Sequence, residues 1–294
     1  MPRSIGKVVG QMQDEHIIEA IGRCRVVIRN GSVIEVGEPV LDRCPLAERF
    51  ACPVNEITKE AVRANIEHRI SSFGMCTKDR DVLSARDFVV FGASELLSGG
   101  IRRGLIDSAV TVCDGAGTVV TDNPLLVQGI GGRMSGLVRT TPIPEVIERI
   151  RQHGGHVLDP ETAAIDQAAG VALASSLGYR RIAATTARPD EALAIRARHP
   201  ETLIVGVHIT GLTGSEAEQL VSVADLVTAC ASRTVREAAG RVALLQAGIS
   251  IPVFAVTPPG REIILAKLGE TGQQMLVHGA RLPIEGGRAP HPLV

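Results

Sequence analysis

The chain has 294 residues, of which 45% are hydrophobic and 2% aromatic, and its formal net charge is −1. This length allows one large domain or two smaller ones with real cores. The near-neutral charge argues against nucleic-acid binding driven by counterion release, and the scarcity of aromatic residues removes base-stacking platforms. We therefore expect no nucleic-acid partner.

The first sixteen residues show no signal-peptide pattern, and no run of 18 apolar residues predicts a membrane span. We expect a cytoplasmic protein without a membrane partner. In a reducing compartment, the six cysteines of this chain are expected to be buried, metal-binding or catalytic rather than disulfide-linked.

The N-terminal part predicts a small α+β unit. The isoleucines within residues 17–21 are spaced as in a helix. Two β-branched segments, 25–29 and 32–36, flank Asn30-Gly31 and predict a hairpin. Residues 59–71 follow a capping threonine and carry apolar residues at helical spacing.

Beyond this unit, strands and helices alternate, which favours βαβ crossovers. The predicted strands are 87–91, 108–113, 181–186, 203–208, 225–230 and 251–256, and the predicted helices are 93–100, 144–152, 163–177, 191–198, 215–223, 234–246 and 257–268. The fold class expected is α/β, a mostly parallel, Rossmann-like sheet with helices on both faces. The expected divisions are a unit at 1–72, an α/β domain at 73–285 (as one body or as lobes 73–156 and 157–285) and a loose tail at 286–294.

Ligands of such sheets bind beyond the carboxyl ends of the strands. Cys113 and Asp114 follow one predicted strand, His208 ends another and Cys230 ends a third. Candidate catalytic residues are therefore Cys113, Asp114 and His208. Cys76, in a predicted turn, joins them because nearby Arg80 and Arg86 could lower its pKa, and Cys76 or Cys113 would be the thiol nucleophile. The alternative is that these cysteines are small buried hydrophobic residues.

Two Gly-rich segments predict backbone N–H groups that could hold an anion or phosphate. Neither matches a P-loop or a complete dinucleotide fingerprint, and turns that need positive φ are the alternative interpretation. The candidate cofactor-binding residues are Gly115, Gly117, Thr118, Gly129, Gly131, Gly132 and Arg133.

No two cysteines form a C-x-x-C pair, so standard zinc-ribbon and ferredoxin spacings are absent. The fold could still assemble Cys44, Cys76, Cys113 and Cys230 around an iron–sulfur cluster or another metal, because each lies at a predicted turn or strand end. Unrelated thiols in loops are the alternative.

Several long motifs resemble those of the methanogenesis marker protein 8 family. They are F-G-M-C-T at 73–77, V-C-D-G-A-G-T-V-V at 112–120, V-Q-G-I-G-G-R at 127–133, T-T-P-I-P-E-V-I at 140–147, L-D-P-E-T at 158–162 and A-D-L-V-T-A-C-A-S at 224–232. The resemblance implies an archaeal protein that accompanies methyl-coenzyme M reductase, but no particular reaction. It also places Cys44, Cys76, Cys113 and Cys230 in motif positions, and not Cys24 or Cys52.

Three functions follow as hypotheses. The first is a cysteine-based metal or redox protein of anaerobic cofactor metabolism or reductase maturation, with a small anionic ligand. The second is a non-catalytic accessory protein for a methanogenesis enzyme, with methyl-coenzyme M reductase-related proteins as partners. The third is a thiol-nucleophile enzyme acting on a small anionic substrate. A homo-oligomer is the base-rate expectation for any of them.

Overall fold

The computed structural model describes residues 14–134 and 136–294, and within them the chain forms two β-sheets and nine α-helices. The smaller sheet contains β1 (Glu15–Glu19), β2 (Arg25–Arg29), β3 (Ser32–Val36) and β6 (Gly136–Arg139). Its order is β3–β2–β1–β6, and every neighbouring pair is antiparallel. Because β6 comes from far along the chain, this sheet joins the N-terminal segment to the middle of the sequence.

The predicted hairpin is confirmed. Asn30 and Gly31 connect β2 to β3 with φ values of 47° and 70°. Both values lie in the left-handed region that a two-residue type I′ turn requires, which explains the Asn-Gly pair at this position.

The helix predicted from the isoleucines of 17–21 is wrong, because Ile17 and Ile18 lie in β1 and Ile21 begins a short 3-10 helix. In β1, His16 and Ile18 are fully buried while their neighbours are partly exposed, which is the two-residue period of a strand. Pairing with β2 on one side and β6 on the other gives β-branched Ile17 and Ile18 a sheet environment that outweighs the helical spacing.

Helix α1 (Lys59–Phe73) confirms the third N-terminal prediction. The Thr58 side chain accepts a hydrogen bond of 3.2 Å from the Ala61 N–H, and Gly74 ends the helix in a left-handed conformation. Val62 and Ile66 of α1 pack on the same apolar cluster as Ile18 and Val26 of the small sheet.

The larger sheet has eight strands in the order β11–β12–β10–β9–β8–β4–β5–β7. The strands are β4 (Ser108–Cys113), β5 (Gly117–Thr121), β7 (His156–Val157), β8 (Ile182–Thr186), β9 (Leu203–Gly206), β10 (Leu226–Thr228), β11 (Leu245–Ala247) and β12 (Val253–Ala255). Three pairings are parallel, as the alternation of strands and helices predicts: β4 with β8, β8 with β9, and β9 with β10.

The sheet as a whole is mixed, so the predicted mostly parallel, Rossmann-like arrangement is wrong. The pairings β4–β5, β5–β7, β10–β12 and β11–β12 are antiparallel and outnumber the three parallel ones. At one end, Gly115 and Gly117 adopt φ values of 80° and 69° and return the chain directly from β4 to β5. At the other end, the predicted helix 234–246 stops at Val242, and Leu245 pairs with Ala255 instead.

Helices cover both faces, as predicted. Alternate strand residues face two separate clusters: Val110, for example, packs in the cluster that holds α5 to α8, while Ala109 packs with α2, α3 and α9. The helices are α2 (Ala93–Arg102), α3 (Pro124–Gly131), α4 (Pro144–Gln152), α5 (Gln167–Ser176), α6 (Pro189–Arg198), α7 (Gly214–Val223), α8 (Arg233–Val242) and α9 (Pro258–Leu268).

Segment 87–91 does not form the predicted strand. The N–H groups of Phe88 and Val89 donate to the Glu95 carboxylate at 3.0 and 3.3 Å, so a side chain replaces the strand partner. In the described residues, no helix is both long and apolar enough to cross a membrane.

Candidate functional site

The carboxyl ends of β4, β9 and β10 form a rim, which we define as residues 113–114, 207–212 and 229–232. The loops after β9 and β10 are in contact, because the Ala231 N–H donates to Thr210 Oγ1 at 3.4 Å. The small sheet lies over this rim: a Cβ placed on Gly136 of β6 would be 3.4 Å from Cγ of His208. The predicted strand-end residues therefore lie where the two sheets meet.

Asp114 is fully buried and forms an ion pair with Arg80, which is also fully buried. Oδ1 of Asp114 accepts from Arg80 Nε at 2.9 Å, and Oδ2 accepts from the Cys76 N–H at 2.5 Å. Burial opposes ionisation of Asp114, but the charge of Arg80 and these hydrogen bonds outweigh it and lower its pKa. Asp114 therefore holds segment 76–80 against the β4–β5 turn.

Arg80 also joins this turn to α3. Its guanidinium donates to the carbonyl oxygens of Gly129 and Ile130 at 3.2 and 3.4 Å, and to that of Asp81. These carbonyls include the end of α3, where a cation complements the helix dipole.

Cys76 and Cys113 flank the Asp114 carboxylate and are both closed from solvent. Cys76 has a left-handed φ of 57°, and Cys113 Sγ lies 3.3 Å from the Asp114 carbonyl oxygen. Burial, followed by the negative charge of Asp114, raises the pKa of both thiols. The surroundings of these two residues therefore favour inert, protonated thiols over the predicted nucleophile.

Cys44 and Cys230 form a second thiol pair, in which the two side chains hydrogen-bond to each other. Cys44 lies in the turn before a short 3-10 helix (Ala47–Arg49), and Cys230 follows β10. Cys44 is 7% exposed, and Cys230 is partly exposed. The pair thus joins the N-terminal unit to the rim.

One thiolate of this pair is stabilised. The hydrogen bond from Cys230, and then those from the backbone of Ala47 and Leu46, lower the pKa of Cys44 to about 6 although burial opposes this. The hydrogen bond with Cys44 and burial raise the pKa of Cys230. The two sulfurs therefore share one proton near neutral pH, in contrast to the protonated thiols of Cys76 and Cys113.

Residues 288–294 bridge the two sides of this thiol pair. The Arg43 and His291 backbones form a β-bridge with hydrogen bonds of 3.0 and 3.3 Å. The Val294 N–H donates to the Ala231 carbonyl at 2.8 Å, and Val294 O accepts from the Arg233 N–H at 2.7 Å. The segment predicted as a loose tail therefore contacts both the Cys44 loop and the Cys230 loop.

The four cysteines predicted to bind metal are distributed between two environments, one around Asp114 and the other between Cys44 and Cys230. Among the described residues, no group of three or more His, Cys, Asp or Glu side chains is arranged to hold a metal ion. Two sulfurs, those of Cys44 and Cys230, could serve as soft ligands. The iron–sulfur or metal site stays a prediction.

The first Gly-rich segment is a buried turn. Its N–H groups donate within the protein: Gly115 to Thr140 Oγ1 at 2.7 Å and Thr118 to the Ala164 carbonyl at 2.9 Å. A Cβ on Gly117 would overlap the Ala163 carbonyl oxygen, so close backbone packing explains this glycine.

The second Gly-rich segment includes the end of α3. Gly129 and Gly131 are helical, Gly132 follows the helix, and a Cβ on Gly129 would overlap the Val82 carbonyl oxygen. Arg133 donates to Asp81 Oδ2 at 2.6 Å and lies over the Phe73 ring. The anion pocket stays a prediction, and close packing is the physical reason for these glycines in the structure described.

His208 has a left-handed φ of 53° at the end of β9. It is exposed at the surface, and crowding by the surrounding protein, together with the Arg69 charge, lowers its pKa. His208 is therefore neutral at pH 7 and could accept a proton or hydrogen bond at the rim.

Three contributors were not predicted as site residues. His16 is fully buried, and its Nδ1 lies 2.6 Å from Oγ1 of Thr140. Arg80 is the buried partner of Asp114. Arg236, three residues into α8, donates to the carbonyl oxygens of the Cys230 segment. Strand alternation could have revealed His16, but nothing in the sequence marks Arg236.

The comparisons with known proteins agree on a family. Residues 16–269 match the family described as an uncharacterized protein conserved in archaea (DUF2099). The chain is also 43% identical over 284 residues to an uncharacterized protein of Methanocaldococcus jannaschii, MJ0054, covering 96% of this chain and 100% of that one. The matched span contains both thiol pairs and the Asp114–Arg80 ion pair. The chain belongs to this conserved archaeal family.

Proposed function

We propose that this protein is a thiol-based redox protein whose reactive group is the Cys44–Cys230 pair. The observation that carries the proposal is that the fold brings these two cysteines together from distant parts of the chain: Cys44 packs in one apolar cluster with Ala231, and residues 288–294 bond to both loops. The interaction between the two thiols favours one thiolate. A thiolate beside a second thiol is the arrangement needed to form and break a disulfide. Cys230 is the partly exposed member through which a small thiol or disulfide could react.

The test is a disulfide map of the full chain, purified without oxygen and then treated with diamide. We expect loss of two thiols, and a peptide that links Cys44 to Cys230. Cys44→Ser and Cys230→Ser should each abolish this link, whereas Cys52→Ser, at a half-buried cysteine outside both pairs, should leave it intact. A folded wild-type chain that forms no such disulfide would overturn the proposal.

A soft-metal site is the second candidate. It is favoured by the same two sulfurs, because thiolates select zinc, copper(I) and iron–sulfur clusters. Any further ligands of the metal would have to be residues other than these two cysteines, or groups of another molecule. Metal analysis after anaerobic purification should then find about one zinc or iron per chain, lost in Cys230→Ser. An unchanged metal content in that variant would reject this candidate.

The cellular setting that we propose is methanogenesis, on the motifs shared with marker protein 8, with methyl-coenzyme M reductase-related proteins as partners. Membership of a family conserved in archaea supports the archaeal part of this proposal. Affinity capture of the full chain from a methanogen extract tests it: enrichment of reductase components supports the setting. Capture that depends on Cys230 favours the redox role, and capture that survives Cys230→Ala favours the accessory role.

A further inference from the structure

Arg236 lies beside the Cys44–Cys230 pair and is 3% exposed. Its guanidinium donates to three carbonyl oxygens: Ala229 at 3.1 Å, Cys230 at 2.6 Å and Ser250 at 2.8 Å. These contacts fix the backbone on which the Cys230 sulfur is carried. A planar guanidinium can hold several acceptors at once, and a lysine ammonium cannot reproduce this geometry.

The charge of Arg236 has no carboxylate beside it. None of the ion pairs formed by the described residues includes Arg236, and Glu285 acts on it only from a longer distance. A buried charge is normally paired with an opposite one, since its transfer out of water is otherwise costly. Of the acidic groups that interact electrostatically with Arg236, Cys230 of the thiol pair has the larger effect and Glu285 the smaller one.

We infer that Arg236 is the positioning residue and counter-charge of the Cys44–Cys230 pair, and that the oxidised pair accepts electrons from a dithiol. The inference rests on the proposed redox function. The protein disulfide is reduced, and the dithiol is oxidised to its disulfide. Of the two dithiol protons, one goes to the Cys230 sulfur and one to solvent, leaving a thiolate on Cys44.

The direction of electron flow follows from the charge. Reduction creates a negative sulfur pair next to a buried cation, whereas oxidation removes the negative charge and leaves the cation unbalanced. Stabilising the reduced form raises the reduction potential of a disulfide. The oxidised pair is therefore the form that reacts readily, and a dithiol of small size is the class of substrate that can reach it through partly exposed Cys230.

The experiment equilibrates the full chain with buffers of reduced and oxidised glutathione and measures the oxidised fraction by alkylation and mass spectrometry. Arg236→Gln should lower the equilibrium constant for reduction about tenfold, which is about 30 mV for this two-electron couple. Arg236→Lys keeps the charge, and we expect a change below about threefold. Arg241→Gln, at an exposed arginine on the same helix, is the matched control and should match wild type.

The outcomes separate the two proposals. A wild-type chain without a Cys44–Cys230 disulfide refutes the proposed function itself. A disulfide whose equilibrium is the same in wild type and in a folded Arg236→Gln variant refutes the inference alone. Should that variant not fold, the unmodified chain still decides: its disulfide should be reduced by a roughly hundredfold excess of reduced over oxidised glutathione, and persistence would overturn the inference.

Discussion

Replacing Asp114 by Asn tests whether the buried ion pair at the β4–β5 turn holds the rim together. Asp114 and Arg80 are both fully buried, and their closest approach is 2.9 Å. The substitution keeps the shape of the side chain but leaves the Arg80 guanidinium without its negative partner. Breaking a buried pair in this way typically costs about 3–5 kcal/mol. We expect a loss of free energy of unfolding in this range.

Urea denaturation followed by circular dichroism measures the loss. Asp81→Asn is the control, because Asp81 pairs with Arg133 while remaining 53% exposed, and its loss should cost no more than about 1 kcal/mol. Arg80→Met and the Arg80→Met/Asp114→Asn double variant complete a cycle, in which a coupling energy near 2–3 kcal/mol is expected. An Asp114→Asn variant within about 1 kcal/mol of wild type would refute the reasoning.

The same pair predicts an acid dependence. Because the folded-state pKa of Asp114 lies below its unfolded value, the stability that it contributes is present above about pH 4 and is lost as the pH falls through the folded value. Wild type should therefore lose stability in this range, and Asp114→Asn should have a flatter profile. Equal slopes for the two proteins would show that other carboxyl groups dominate.

Three further predictions concern the thiol pair, the bridging segment and the tight turn. The rate at which iodoacetamide alkylates Cys44 should rise as the pH passes about 6. Cys230→Ala should move this rise toward the pH at which ordinary thiols ionise, because the main interaction that stabilises the Cys44 thiolate is lost. An unchanged pH profile would contradict the pairing. Deleting residues 288–294 should increase the alkylation rate of Cys44 several-fold, because the loops that carry Cys44 and Cys230 are released. An unchanged rate would show that this segment does not restrain the two loops. Gly117→Ala should lower the free energy of unfolding by at least about 2 kcal/mol, because the added Cβ meets the Ala163 carbonyl. Gly104 has a similar φ but open space around it, so Gly104→Ala should cost about 1 kcal/mol in the same urea denaturation. Equal losses in the two variants would show that φ alone causes the effect.

The sequence predicted local structure well where local chemistry decides it. The Asn30-Gly31 turn and the Thr58 cap are specified by residue types that few other conformations accept. The parallel strands β8, β9 and β10 were recognisable because a single helix separates each from the next. The antiparallel return of β4 into β5 was missed, since the two glycines that permit it were interpreted as an anion loop. Strand β6 was missed because its partner, β1, lies far away in sequence.

The location of the strand-end residues was predictable, but not their pairing. The strand-end rule predicts Cys113, His208 and Cys230 at one edge of the sheet, and they lie at the carboxyl ends of β4, β9 and β10. Cys44 is separated from Cys230 by most of the chain, so no spacing rule could join them. Arg236 carries no sequence signal, because its position is fixed by three backbone carbonyls that only the folded loops bring together.

Electrostatics explain why we expect different chemistry from the cysteines at the rim and those beside it. Cys76 and Cys113 lie beside the Asp114 carboxylate, and its negative charge adds to burial in keeping both thiols protonated. Cys230 lies beside the Arg236 cation, which acts in the opposite direction. The charge of Asp114 is balanced by Arg80, and this pair stabilises the β4–β5 turn. The charge of Arg236 has no carboxylate partner, so it favours a thiolate, which is present only when Cys44 and Cys230 are reduced. Redox chemistry at this rim is therefore expected at Cys44 and Cys230, with Cys76 and Cys113 as part of the packed support.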